Sequence, residues 1–247
     1  MTPESPSDNA PQPLGEVGRI TNVFLDPKKA FADIAARPTW IVPVVLVIIA
    51  YLAFMYCFTT HVGWEHSLRQ AMETNSRVQQ MDPQQRETAL QTQIKFAPIG
   101  AYVVGPISIV VVALIIAAVL LLMTKMMGAS LTFKQMFGIS AYSMLPGLLA
   151  SILAIVVMFI KNPEDFNLQN PLAFNLGAFL EPPPASSKAL YAFATSIDLF
   201  TFWQILLLAV GISVAARKFP FSKALVAVIV PWILLVIGKV GFAALFG

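Results

Sequence analysis

Two charged side chains stand inside the apolar part of this chain, Asp198 and Lys239. A carboxylate and an ammonium in hydrocarbon can carry protons, hold a counter-ion or pair with each other. Left alone at a helix centre, such a charge costs about 2.5 to 3.5 kcal/mol on insertion scales. Asp198 opens the run SIDLFTFWQILLLAVGISVA at 196–215, with Phe200 and Trp203 close behind it, and Lys239 lies in the C-terminal apolar run. His61, Glu65 and His66 form a second group, but imidazoles five apart do not share the i, i+4 face that a zinc helix uses, so no metal site is read there. A third stretch, GISAYSMLP, is the most polar apolar-embedded segment; Ser140, Tyr142, Ser143 and Pro146 suit bonds between helices, while Gly138, Ala141 and Gly147 permit close backbone approach. Helix packing is favoured over a ligand site there. The sequence holds no Gly-rich phosphate loop, no HExxH and no G-x-S-x-G elbow, and its apolar runs lack paired carboxylates or histidines. It reads as a non-enzyme without a cofactor.

The elements that must position these residues follow from composition. With 57% hydrophobic and 12% charged residues, against about 25% charged in soluble domains, the chain belongs in a bilayer. Its net charge of +3 is small and its bases scattered, which excludes a nucleic-acid surface. A single cysteine, Cys57, allows no intrachain disulfide and suits apolar packing. Residues 1–16 carry acids and prolines with no apolar core, so they read as a disordered polar tail and not as a secretory signal.

Residues 17–38 form an amphipathic helix in this reading, with Asp26 as N-cap, Pro27 at the first helical position and Pro38 as the stop. Ala30, Phe31, Ile34 and Ala35 share one face, which suits a helix lying in the headgroup plane, packing on the protein itself being the alternative. The membrane domain, 39–247, has spans at about 40–60, 99–123, 137–160, 196–215 and 224–246, each near the 20 residues that cross the hydrocarbon core. Trp40 marks the entrance of the first span. Gly105-Pro106 predicts a kink in the second. Between the first two spans, residues 61–97 are polar and charge-balanced, and Asp82-Pro83 repeats the cap signature, so an extramembrane helical hairpin broken near 81–83 is expected. The fold class is therefore an all-α polytopic membrane protein with five transmembrane helices, an amphipathic N-terminal helix and that hairpin.

Five spans put the termini on opposite sides. A cytoplasmic N-terminus places Arg19, Lys28, Lys29, Arg37, Lys125, Lys134, Arg217, Lys218 and Lys223 inside, nine of sixteen bases, in line with positive-inside placement. Counting from Phe219, the middle of the last turn, Asp198 and Lys239 both lie about 30 Å up neighbouring antiparallel helices. A salt bridge or water-bridged pair between them is expected near the outer interface.

DPKKAF before a first span entered through RPTW, AYSMLP in the third and IDLFTFW with LLLAVGIS in the fourth resemble the Yip (Ypt-interacting protein) membrane family, particularly its bacterial members. Asp26, Pro27, Trp40, Tyr142, Pro146, Asp198, Phe200, Trp203 and Gly211 carry the likeness, which runs from about Val17 onward. It implies a five-span helical domain with a cytoplasmic N-terminus. Eukaryotic relatives serve vesicle traffic and contact prenylated Rab-type GTPases; this chain departs from them at Arg37-Pro38-Thr39-Trp40 and lacks their Asp-Leu-Tyr-Gly-Pro segment. The bacterial cytoplasmic membrane is the expected location. The functional expectation is a scaffold that organises the bilayer, binds another membrane protein or self-associates, with a permease path near Asp198, Lys239 and Tyr142 as the alternative.

Overall fold

The computed structural model describes residues 13–73, 75–183 and 185–246. The polar tail expected over 1–16 lies outside the described residues as far as residue 12. Its end is not a tail, because Glu16 opens the first helix and the Leu14 amide donates to Asp33 at 3.1 Å.

All regular structure among the described residues is helical, with one isolated antiparallel bridge between Asn175 and Asp198. Two short helices, α1 (Glu16–Leu25) and α2 (Pro27–Ala36), meet at Asp26, which caps α2 by accepting from the Lys29 amide at 3.2 Å. The single expected helix over 17–38 is thus two, because Pro27 cannot continue an upstream helix but suits the start of a new one. Helix α3 (Ile41–His61) is the first long apolar helix, with Pro43 in its first turn. Then come α4 (Trp64–Glu73), the single turn α5 (Ser76–Gln79) and α6 (Pro83–Ile99), which Asp82 caps through the Gln85 amide at 2.8 Å. Helix α4 packs on α6, and Arg69 joins them by bonding Glu65 at 2.9 Å and Glu87 at 3.4 Å.

Helix α6 does not end the rod at Ile99. It continues through a π-helical turn at Gly100–Val104 into α7 (Gly105–Met126), an unbroken rod of 44 residues that spans about 66 Å at 1.5 Å per residue, twice a hydrocarbon core. The π turn sits where Gly105-Pro106 predicts a kink. Pro106 has no N–H for the carbonyl one turn back, and the ladder widens so that the Gly105 amide reaches Gly100 O instead. The next rod, 133–160, is likewise in two parts: α8 (Phe133–Ser143), opened by a Thr132–Gln135 capping box, and α9 (Leu145–Ile160), divided at Met144 ahead of Pro146. The segment 161–187 follows, then α10 (Lys188–Ala194), α11 (Leu199–Ala215) and α12 (Phe221–Phe246).

Among the described residues, four helices are long and apolar enough to cross a membrane: Ile41–His61, Pro83–Met126, Phe133–Ile160 and Phe221–Leu245. Helix α11 is apolar but shorter, because Asp198 ends it as a cap and does not continue it. Large apolar side chains lie outward along these rods, among them Ile41, Val45 and Ile49 on α3, Ile107 and Ile115 on α7, and Leu234 and Leu235 on α12.

Two interior clusters sit at opposite ends of the helices. One joins α2, α7, α8, α11 and the start of α12 around Phe31, Ile34, Ile139, Tyr142 and Ile212. The other joins α3, α9 and the segment 161–187 around Phe54, Phe58, Met158 and Phe166, with Cys57 packed against it. The apolar face of α2, expected to meet headgroups, is turned inward: Ala30, Phe31 and Ile34 are fully buried against α8 and α11.

Candidate functional site

The side chains with chemistry fall into two sets, one at each end of the molecule. The first is a buried ionic network that fastens α1 and α2 to the long helices. Arg19, on α1, is only 4% exposed. Its Nε donates to Asp33 Oδ2 at 2.6 Å, Nη1 to Thr39 Oγ1 at 2.7 Å and Glu16 Oε1 at 3.2 Å, and Nη2 to the Arg37 carbonyl at 3.2 Å. Tyr142, fully buried on α8, donates its hydroxyl to Glu16 Oε2 and lies 3.3 Å from Thr39 Oγ1. Asp33 also accepts from the Arg37 guanidinium and the Leu14 amide. Two acids and two guanidiniums balance, so the network carries no net charge into the packed region.

Burial by itself pushes the Asp33 carboxyl up, but the bond from Arg19, the Leu14 amide and Arg37 outweigh it and hold Asp33 below the usual carboxylate range. Around this network the backbones come close. A Cβ on Gly211 of α11 would stand 2.5 Å from Ile139 Cγ2 and 3.0 Å from Phe31 Cδ1, and one on Gly138 would stand 3.0 Å from the Thr39 carbonyl. Gln135 of α8 donates to the Ala35 carbonyl at 3.0 Å, which closes the C-terminal end of α2.

The second set is at the far end. Asp198 caps α11: its Oδ1 accepts from the Thr201 amide at 2.9 Å and lies 3.3 Å from Thr201 Oγ1. Segment 174–176 lies alongside it, with the Leu199 amide on the Phe174 carbonyl at 3.0 Å and the Leu176 amide on the Ile197 carbonyl at 3.1 Å. Lys239 reaches the same layer, since its Nζ donates to Thr195 Oγ1 at 3.1 Å and Ser196 Oγ at 3.0 Å. Depth-counting therefore brings Lys239 to the start of α11, but no direct ion pair joins it to Asp198 among the described residues. The carboxylate is engaged through Oδ1 by the amide and hydroxyl of Thr201 in its own helix, and the two hydroxyls stand nearer the ammonium.

The other residues singled out in the sequence are junctions. Trp40 packs on Phe137 at 5.0 Å between ring centroids, Phe200 on Phe174 at 5.8 Å and Trp203 on Phe24 at 5.6 Å. Pro146 is buried at the α8–α9 break. Ser140 and Ser143 are buried without a hydrogen-bond partner among the described residues, so of that polar stretch Tyr142 makes the bond across helices. His61 packs on the Phe159 ring, His66 bonds the Glu164 carbonyl at 3.0 Å and Glu65 belongs to Arg69, so the histidine group is dispersed over three partners.

Sequence reasoning missed Arg19, Glu16 and Asp33 as a set. Glu16 and Arg19 are three apart on one helix, the only local signal; Asp33 belongs to the next helix, and Thr39 and Tyr142 come from still further along the chain.

Long apolar rods with outward apolar faces, and a charge-balanced ionic network in the interior, define a polytopic membrane protein of all-α build. The model for the Yip1 domain matches residues 21–242. The chain belongs to the Yip1 domain family, which is not a known enzyme family. No curated protein and no solved structure matches it.

Proposed function

We infer that this protein is a five-span scaffold of the bacterial cytoplasmic membrane, with its N-terminal helices on the cytoplasmic side, that organises the bilayer or holds a membrane partner without catalysis. The observation that carries the reading is the fastening of α1 and α2. Six bonded groups, Glu16, Arg19, Asp33, Arg37, Thr39 and Tyr142, lock the helix pair onto α8, and apolar packing of α2 seats it on α11, which suits a rigid platform and not a moving gate. On its outer side the platform exposes Val17 and Leu25, with Lys28 and Lys29 beside them, a composition that suits an anionic headgroup layer.

The count of five rests on α11. Its 17 residues cover about 26 Å, a mismatch that local thinning accommodates at a fraction of a kcal/mol per Å, with Asp198 at the interface. The cytoplasmic assignment rests on the bases at that end, Arg217, Lys218 and Lys223 included. The long rod through α6 and α7 is about twice the length of the core, which favours α4 to α6 as a hairpin outside the membrane.

The permease alternative needs a path joining Lys239 and Asp198, near one end of the helices, to Tyr142 near the other, whose hydroxyl is engaged by Glu16 and Thr39. The full-length protein in sealed liposomes tests the choice. Ion and small-solute flux equal to that of empty vesicles is expected; flux that disappears in Lys239→Met would overturn the scaffold.

A further inference from the structure

Lys239 is held but not neutralised. Thr195 and Ser196 turn their hydroxyl protons to carbonyls of their own helix, Tyr191 O at 2.9 Å and Ala192 O at 2.7 Å, and accept from the ammonium on their other side. Two of the three ammonium N–H groups are thereby directed, and no carboxylate lies within 4 Å of Nζ among the described residues. Beside it an apolar groove of about 470 Å³ runs between α10 and α12, lined by Phe193, Ile197, Trp232, Val236, Val240 and Gly241. From Trp232 to Gly241 the groove extends about 14 Å along α12, the depth of one leaflet in a core of about 30 Å. The cation sits at the end of the groove nearer the membrane surface.

We propose that Lys239 and this groove bind one anionic phospholipid of the leaflet remote from α1 and α2, with the headgroup phosphate on the ammonium and an acyl chain along α12. Charge complementarity selects this occupant. A bare ammonium at the rim of an apolar slot needs an anion at headgroup depth, and a lipid phosphate supplies it with a hydrocarbon chain already attached. A second copy docked face to face would bring two Lys239 cations together without an acid between them. Asp198 is no competitor, because its Oδ1 caps α11 and, among the described residues, it makes no ion pair with Lys239 within 4 Å.

Trp232 lines the groove and reports on it. For the full-length protein in detergent, phosphatidylglycerol with brominated acyl chains, added at low mole ratio, quenches the part of the fluorescence that Trp232→Phe removes. The expected half-quenching concentration is about tenfold lower than for equally brominated phosphatidylcholine, the ratio that about 1.4 kcal/mol of headgroup discrimination gives. Lys239→Gln abolishes the difference, Lys239→Arg keeps it, and Gly241→Leu, whose side chain enters open space in the groove, weakens quenching by both lipids. Equal quenching by both headgroups in the wild type, or an unchanged preference in a folded Lys239→Gln, would overturn the site. So would efficient disulfide crosslinking of two copies through Val236→Cys in a Cys57→Ala background, since the groove would then be a contact between chains.

Discussion

Arg19 is the residue on which one end of the molecule depends. Removing one partner of a buried ion pair strands the other, and the usual penalty is 3 to 5 kcal/mol. Because Glu16 is 38% exposed and can rehydrate, Arg19→Met is expected to cost about 3 kcal/mol, read as a lower unfolding midpoint in detergent, with α1 and α2 becoming protease-sensitive. Asp33 adds a pH dependence. Its carboxyl is held below its unfolded value, so the contribution is complete above about pH 4 and is lost as pH falls through the folded value. The unfolding midpoint therefore declines on the acid side, and Asp33→Asn is expected to be less stable at neutral pH with a shallower decline. At the other end, Asp198 acts first as a cap. Asp198→Ala is expected to cost about 1 kcal/mol, and Asp198→Asn, which still accepts from the Thr201 amide, only a few tenths. An equal loss in both would mean that the charge matters and the cap does not.

At the scale of elements, the contact of α2 with α8 and α11 is set by the absence of a side chain at Gly211. Between helices in a bilayer there is little hydrophobic gain, so close packing and polar bonds must hold them. Gly211→Ala puts a methyl against Ile139 and Phe31 and is expected to cost about 1 to 3 kcal/mol, with cysteine crosslinking between α2 and α11 weakened. Gly147→Ala, where the new methyl meets nothing within 4 Å, is the control and is expected to be neutral or slightly stabilising. Proline placement explains three element boundaries: Pro27 divides α1 from α2, Pro106 follows the π turn and Pro146 follows the α8–α9 break.

At the scale of the whole molecule, five crossings put the two ends on opposite sides, whereas four crossings put them on one. In sealed right-side-out vesicles of a Cys57→Ala background, a cysteine at Thr21 is expected to resist an impermeant maleimide while one appended after Gly247 reacts. Labelling of both from the same side would remove α11 from the count of spans. The sequence by itself determined the class, the positions of the apolar rods, the caps at Asp26 and Asp82 and the depth at which Lys239 meets the start of α11, because hydropathy, proline and cap chemistry act over a few neighbouring residues and 1.5 Å per residue converts position into height; that Asp198 is itself a cap came only from the structure. Which side chains share a bond was decided only in the tertiary structure. The network of Arg19 with Asp33, Thr39 and Tyr142 joins residues from separate helices, and α2 turned its apolar face inward because α8 and α11 offer it a cleft lined by Gly138 and Gly211. Lys239 settled on Thr195 and Ser196 and not on Asp198 because the carboxylate was already taken by its own helix terminus, a competition between local and distant donors that equal depth alone cannot rank.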